Sequence, residues 1–182
     1  MKKTSLTHPI KIAAISAGPL LGRVGITFCL GKFDPKAMGG CWDRDLSLDL
    51  DAIQVWGAAA VVTLIEPHEL GLLRVEQLGE EVSRRAMTWF HLPIKDVSMP
   101  DQGFEQQWVT AGDQLRILLR SGRDVLVHCR GGLGRAGTIG ARLLIELGME
   151  PYSAIRSVRA VRPGAIETPA QESYVLAVGV NP

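Results

Sequence analysis

The chain has 182 residues and a mass of 19.7 kDa, which suits one domain with a sizeable core. Its 20 basic and 19 acidic residues leave a net charge of +1, so there is no strong overall field to gather nucleic acid or anionic membranes. Hydrophobic residues at 46% and charged residues at 21% exclude a disordered or collagen-like chain. We therefore expect one domain over residues 1–182 in which any recognition of anions is local.

The apolar stretches and the cysteines indicate the cellular compartment in which the protein is expected. The longest uncharged stretches, Ile12 to Gly22 and Ala52 to Ile65, are shorter than the roughly 20 apolar residues that cross a bilayer. The three cysteines, Cys29, Cys41 and Cys129, form no CxxC pair, which argues against a zinc site and against a disulfide framework. We expect a cytoplasmic protein with neither a membrane partner nor a nucleic-acid partner.

The N-terminal third contains short strands and one helix. Two apolar runs, Ile10 to Ile15 and Val24 to Phe28, predict a β-hairpin. Lys32 to Trp42 predicts a loop, and Asp49 to Trp56 predicts a helix. Ala59 to Ile65 is rich in β-branched residues, which is typical of a buried strand.

Helices and strands alternate in the rest of the chain. Helical spacing is found in Glu69 to Ala86 and in Phe104 to Leu119, whereas Thr88 to Ile94 and Asp124 to His128 predict strands. A further helix is predicted from Arg135 to Leu147. This alternation predicts an α/β fold with a mostly parallel sheet covered by helices on both faces, and it places ligands at the carboxyl ends of the strands.

A glycine-rich segment follows the last predicted strand and contains the most reactive side chain. Gly131, Gly132 and Gly134 allow the backbone to curl so that successive N–H groups converge on one point, which is a site for an anion. The following helix adds the positive end of its dipole. Both features favour the thiolate form of Cys129. The segment therefore predicts a cysteine nucleophile inside a phosphate-binding loop.

Arg135 completes the chemistry that this loop predicts. Its planar guanidinium, six positions after Cys129, can bind two phosphate oxygens. The thiolate then displaces an alcohol or phenol from a phosphate monoester, and water hydrolyses the resulting cysteinyl-phosphate. Because Arg135 and the amide groups stabilise the phosphoryl charge, we expect neither a metal nor another cofactor.

The string HCRGGLGR resembles the HCxxGxxR signature of the cysteine-dependent protein tyrosine phosphatases. In its fuller HCxGGLGR form it resembles the cyclin-dependent kinase-associated phosphatases of the dual-specificity group. The similarity extends to WDRDLSLDL, HLPIKDVSMPD and RPGAIETPAQESY and covers roughly residues 40–175. It implies a phosphatase fold of that kind and a phosphorylated protein as substrate, with phosphotyrosine, phosphoserine or phosphothreonine as the reacting residue.

The resemblance also implies roles for residues outside the loop. The general acid of the family follows a Pro-Ile pair some thirty residues before the cysteine, and Asp96 matches this position at 33 residues. Asp101, at 28 residues, is its rival. A positioned acid that protonates the leaving group accelerates such a reaction by about 10²- to 10⁴-fold. Gln171 matches a glutamine that, in related phosphatases, positions the attacking water of the second step.

The remaining residues of the motif support the loop or depart from the family pattern. We expect His128 to anchor the loop or to tune the thiolate, and Arg130 to face either solvent or an acidic part of the substrate. The family usually has Ser or Thr directly after the arginine, whereas this chain has Ala136 there and Thr138 two residues later. We therefore predict that the phosphoenzyme breaks down slowly relative to its formation. The residues expected to bind phosphate are Arg130, Gly131, Gly132, Leu133, Gly134 and Arg135.

Three other functions share part of this pattern. A sulfurtransferase of the rhodanese kind also has a cysteine in an anion-binding loop, but it has no obvious use for Asp96. A phosphoinositide or nucleotide-end phosphatase stays open because of Arg130, although loops for highly phosphorylated lipids tend to carry lysines and this loop has none. A phosphate-binding module with weak turnover is suggested by Ala136. Hydrolysis of phosphoproteins is the favoured interpretation.

Overall fold

The computed structural model describes residues 2–37 and 39–179. Five of its strands form the main sheet, which has the order β1-β2-β7-β5-β6. β1 is antiparallel to β2, and the other neighbours are parallel. The strands are β1 (Ala13–Ser16), β2 (Arg23–Thr27), β3 (Phe33–Asp34), β4 (Trp42–Asp43), β5 (Ala58–Thr63), β6 (Thr88–His91) and β7 (Asp124–His128).

Two groups of helices flank this sheet. The helices are α1 (Leu46–Trp56), α2 (Pro67–Leu72), α3 (Leu78–Arg84), α4 (Gln102–Arg120), α5 (Gly134–Glu146), α6 (Pro151–Val161) and α7 (Pro169–Leu176). α1 and α3 pack together and against β5 and β6, whereas α5 packs on β2 and β7 and is surrounded by α4, α6 and α7. The predicted α/β fold with a mostly parallel sheet is confirmed. Over the described ranges, none of these helices combines the length and the apolar character needed to cross a bilayer.

The N-terminal hairpin is confirmed, whereas the segment after it, predicted to be a loop, contains strand residues. β1 and β2 pair in register from Ala13 opposite Ile26 to Ser16 opposite Arg23. The segment from Lys32 to Trp42, expected to be a loop, contributes to a short antiparallel ladder between β3 and β4. Through this ladder, β3 at the start of the segment pairs with β4, which lies just before α1.

The prediction of a single helix from Glu69 to Ala86 is wrong, because two separate helices, α2 and α3, lie in this part of the chain. Leu73 and Val75, which lie between them, are both 1% exposed. Positions two apart on a helix point about 200° away from each other, so one straight helix could not bury both side chains in the same core. The chain turns instead, with Arg74 in the left-handed region at φ 58°.

Capping residues set helix starts that hydrophobic spacing did not locate. α1 begins three residues before its predicted start, because the Asp45 side chain accepts a hydrogen bond from the Leu48 amide. α6 and α7, which the sequence analysis did not predict, each begin with a proline at the first position, Pro151 and Pro169. These signals were present in the sequence.

α5 carries the predicted phosphate-binding arginine and is anchored at its far end by buried charges. The Glu146 carboxylate accepts hydrogen bonds from Trp108 Nε1 at 3.0 Å and from Arg142 Nε at 2.8 Å, and it also pairs with Arg116. These contacts tie α4 to α5 and leave the N-terminus of α5 at the carboxyl end of β7.

Candidate active site

Cys129 lies directly after β7, at the edge of the sheet where the parallel strands end. Its side chain lines a cleft of about 510 Å³ and the residue is 3% exposed. The Gly132 amide donates a hydrogen bond to Cys129 Sγ at 3.2 Å. Gly132 has φ 69°, and a Cβ there would lie 2.5 Å from the carbonyl carbon and oxygen of Thr27, so this position requires glycine.

The carbonyl groups of the loop accept hydrogen bonds from two cationic side chains that also line the cleft. Lys32 Nζ donates to the Arg130 carbonyl at 3.2 Å. Arg162 donates through Nε to the Gly132 carbonyl and through Nη2 to the Gly131 carbonyl, both at 2.9 Å. The C=O and N–H of a planar trans peptide unit point in opposite directions, so these bonds favour amide groups that face the interior of the loop.

Arg135 is held in the same cleft by a bidentate ion pair with Glu69. The Nη1–Oε2 and Nη2–Oε1 distances are 2.5 and 2.9 Å, and Nη1 also donates to the Ile94 carbonyl at 3.0 Å. Burial opposes the charged form of both groups, but the hydrogen bonds and opposite charges outweigh it. The pKa of Arg135 is therefore raised and the pKa of Glu69 is lowered.

The two aspartates considered as the general acid have different surroundings. Asp96 Oδ1 lies 2.9 Å from Arg135 Nη2, and the Asp96 side chain is 55% exposed at the edge of the cleft. Asp101 is the N-cap of α4, where its carboxylate accepts a hydrogen bond from the Phe104 amide at 2.8 Å. The structure thus brings Asp96, and not Asp101, together with Arg135 and Cys129.

His128 lies beneath the loop and is fully buried. Its Nε2 lies 2.8 Å from Thr63 Oγ1, which also accepts a hydrogen bond from Trp89 Nε1. Burial, with the nearby positive charge of Arg135, lowers the pKa of His128 to about 4. The imidazole is therefore neutral at pH 7, and its contact ties the end of β7 to β5.

Gln171 is fully buried and links the start of α7 to the loop that carries Asp96. Its Oε1 accepts hydrogen bonds from the Glu167 and Thr168 amides at 2.9 and 3.2 Å, and its Nε2 donates to the Ser98 carbonyl at 3.1 Å. A Cβ on Gly134 would lie 2.9 Å from Nε2, so the amide also adjoins the predicted phosphate-binding loop.

The first turn of α5 contains no hydroxyl group free to bond the sulfur. Ala136 is fully buried, and the Thr138 hydroxyl donates to the Gly134 carbonyl at 2.8 Å. Leu133 precedes the helix and lines the cleft. The Arg130 side chain is 42% exposed and pairs with Asp34 at 3.1 Å.

Three residues of the site were missed by the sequence analysis. Glu69 stood at the start of a predicted helix, Arg162 lay in a segment quoted only for its resemblance, and Lys32 lay in a predicted loop. None of them is close in sequence to its partner in the predicted phosphate-binding loop. The sequence contains the capping-box pattern from Glu66 to Glu69, but nothing in it indicates that Glu69 binds Arg135.

Residues 35–175 match the family model of PTP-SAK, the Swiss Army Knife protein DSP-PTPase phosphatase domain. The chain belongs to this family of phosphatases. Cyclin-dependent kinase inhibitor 3 of Rattus norvegicus is 33% identical to it over 162 residues, which cover 85% of this chain and 74% of that protein. The Homo sapiens protein of that name is 30% identical over 174 residues, covering 92% and 77%.

Solved structures agree with the DSP-PTPase assignment. Kinase associated phosphatase, with serine in place of its catalytic-site cysteine, superposes with a TM-score of 0.78 at 27% identity and covers 92% of each chain. Tk-PTP in its active form gives a TM-score of 0.65 at 29% identity, covering 90% of this chain and 93% of that one. The resemblance seen in the sequence is confirmed, and the chain is a cysteine-dependent protein phosphatase of the dual-specificity type.

Proposed function

We propose that this DSP-PTPase domain dephosphorylates phosphoproteins with Cys129 as the nucleophile and Arg135 as the phosphate-binding cation. The observation that carries the proposal is the position of the sulfur, which receives the Gly132 amide hydrogen bond in the same cleft that Arg135 lines. Sγ attacks phosphorus, an S–P bond forms, and the bond from phosphorus to the ester oxygen breaks with its electron pair on that oxygen. Arg135 and the loop amides stabilise the charge on the transferring group.

Asp96 is the proposed general acid. Its carboxyl group gives a proton to the departing oxygen, because an alkoxide or phenolate leaves poorly without one. In the structure this carboxylate is 2.9 Å from Arg135 Nη2. Phosphate that binds Arg135 competes for this contact, which frees Asp96 to turn to the leaving group, while Glu69 continues to hold the guanidinium.

The second step returns the cysteine to its starting state. Water attacks phosphorus, the S–P bond breaks with its electrons on sulfur, and Asp96 accepts the proton of the water. The bonds of Gln171 to Ser98 and to the turn before α7 support a role for this residue in orienting that water through the placement of the Asp96 loop. Ala136 provides no hydroxyl group for the leaving sulfur, so we propose that this step is slow.

The proposed substrates carry phosphotyrosine, phosphoserine or phosphothreonine. The DSP-PTPase family model supports this range, and similarity to a protein named tyrosine-protein phosphatase CDC14 supports phosphotyrosine. The three free cysteines suit a reducing compartment, and we propose that the protein acts in the cytoplasm.

Hydrolysis of phosphopeptides in the presence of a metal chelator tests the proposal. We expect turnover by the wild-type protein, none by Cys129→Ser, and a large loss with Arg135→Lys, which cannot bind two oxygens with one planar group. Cys41→Ser is the matched control, since Cys41 does not line the cleft, and it should keep full activity. Tight binding of phosphopeptides without turnover by the wild-type protein would instead indicate a binding module.

A further inference from the structure

Lys32 is a buried cation in the wall of the cleft. The residue is 5% exposed and lines the cleft together with Cys129 and Arg135. Its ammonium group lies 5.1 Å from the centre of the Phe28 ring and 5.2 Å from that of the Trp42 ring. Within residues 2–37 and 39–179 Lys32 forms no salt bridge, and Asp34, which lines the same cleft, pairs with Arg130 instead. This charge therefore has no ion-pair partner in the part of the chain that the structure describes.

Burying an ammonium group that has no ion-pair partner costs free energy. This cost indicates a binding role for Lys32. An ammonium group has three N–H donors, and the Arg130 carbonyl accepts one of them. Burial lowers the pKa of Lys32, and nearby negative groups such as Asp34 only partly oppose this. An anion that enters the cleft would supply the missing acceptors and the missing charge.

Two further cations continue the same wall. Lys36 is exposed, and Arg130 is 42% exposed beside Asp34. We call Lys32, Lys36 and Arg130 the basic wall. The cleft is also lined by three carboxylates and by Arg162; Asp34 pairs with Arg130 and Asp96 with Arg135, and Glu167 is the third. Lys32 and Lys36 form no ion pair within the described residues, so their charges are available to an anionic group of a bound substrate.

We propose that the basic wall binds a second anionic group of the substrate, carried by a residue next to the phosphorylated one. This inference rests on the proposed function and names the class of phosphoprotein that the site prefers. An aspartate or glutamate carboxylate and a second phosphate offer the same chemistry, because both have anionic oxygens that accept charge-assisted hydrogen bonds. The cleft volume of about 510 Å³ lies in the range of ligand pockets and leaves room beside a single phosphoryl group.

Matched phosphopeptides test the inference. One phosphorylated residue is flanked on either side by alanine, aspartate, lysine or phosphoserine, and kcat and KM are measured separately. We expect kcat/KM for the aspartate peptide to exceed that for the alanine peptide by about tenfold, mainly through KM, as one additional charge-assisted contact would give. The lysine peptide should be the poorest substrate. The phosphoserine peptide shows whether a second phosphate serves better than a carboxylate, and either preference supports the basic wall.

Variants show whether the basic wall causes the preference for aspartate beside the phosphorylated residue. Lys36→Met and Lys32→Met should each remove most of the preference for aspartate, and Lys36 is exposed enough for its variant to fold if the other does not. Arg120→Met is the control, since it removes one exposed positive charge at the end of α4, outside the cleft. This control should keep both the activity and the preference.

The outcomes separate the inference from the proposed function. Equal kcat/KM for all flanking residues, with every peptide hydrolysed, would overturn the basic wall as a binding site and leave the phosphatase function in place. A preference that persists in both lysine variants would overturn it as well. If no phosphopeptide is hydrolysed and a phosphoinositide is, the proposed function itself fails.

Discussion

Glu69 holds Arg135, the proposed phosphate-binding residue, and replacing Glu69 by glutamine tests how much the fold depends on this pair. The Glu69 side chain is 4% exposed and accepts three hydrogen bonds, two from Arg135 at 2.5 and 2.9 Å and one from the Glu66 amide at 2.8 Å. Glutamine retains one oxygen, but its NH₂ group then faces a donor of Arg135. The substitution therefore removes the charge and at least one acceptor without changing the shape.

The expected cost of Glu69→Gln follows from these contacts. Removing one partner of a buried ion pair costs about 3–5 kcal/mol. The amide oxygen keeps part of the hydrogen bonding, and Asp96 still faces Arg135, so we expect a loss of about 2–3 kcal/mol in the free energy of unfolding at pH 7. For a chain of this size, such a loss lowers the melting temperature by about 5–10 °C.

The loss of stability caused by Glu69→Gln should also depend on pH, in a defined direction. The pKa of Glu69 is lowered in the folded protein from an ordinary value of 4.5, so the fold favours the carboxylate. The stabilisation is complete above the pKa of the unfolded chain and is lost as the pH falls through the lower pKa of the folded protein. The difference in stability between the wild-type protein and Glu69→Gln should therefore shrink below about pH 4.5.

Urea denaturation at a series of pH values measures this difference directly. Glu80→Gln is the control, because Glu80 forms an exposed pair with Arg84 and its loss should cost less than about 1 kcal/mol. A Glu69→Gln protein as stable as the wild type at pH 7 would refute the reasoning. So would a difference that is the same at pH 7 and at pH 3.5.

Three further predictions concern catalysis. Asp96→Asn should lower kcat/KM by about 10²- to 10⁴-fold for phosphopeptides and much less for p-nitrophenyl phosphate, whose leaving group needs no proton; a larger loss from Asp101→Asn would contradict the assignment. Arg162→Met should weaken inhibition by vanadate by about tenfold through loss of the loop contacts, whereas Arg156→Met, which removes an exposed charge from α6 shortly before Arg162, should not; equal effects would refute this role. Ala136→Ser should speed breakdown of the phosphoenzyme by about tenfold, as one hydrogen bond to the leaving sulfur would, and an unchanged pre-steady-state burst would count against it.

The local features of the site could be predicted from the sequence. β7 has the bounds that its apolar run predicted, and the loop and helix that follow form one continuous segment whose glycines and arginine indicate anion binding. The parallel sheet also followed from the alternation of elements. These inferences succeeded because each depends on residues that are neighbours along the chain.

Features that depend on distant residues could not be predicted in this way. Glu69 and Arg135 are 66 positions apart, and nothing in either segment indicates that one binds the other. The division of the predicted helix into α2 and α3 depends on a core that buries both Leu73 and Val75. The burial of Lys32 likewise depends on how the chain between β2 and β4 packs beside the loop.

Trapping of the covalent intermediate tests the central claim most directly. The wild-type protein is mixed with a phosphopeptide labelled with ³²P, stopped rapidly, and digested so that mass spectrometry can locate the label. We predict one labelled peptide, phosphorylated on the Cys129 sulfur, with no label in the Cys129→Ser protein. Turnover without any phosphocysteine, or label at another residue, would contradict the account.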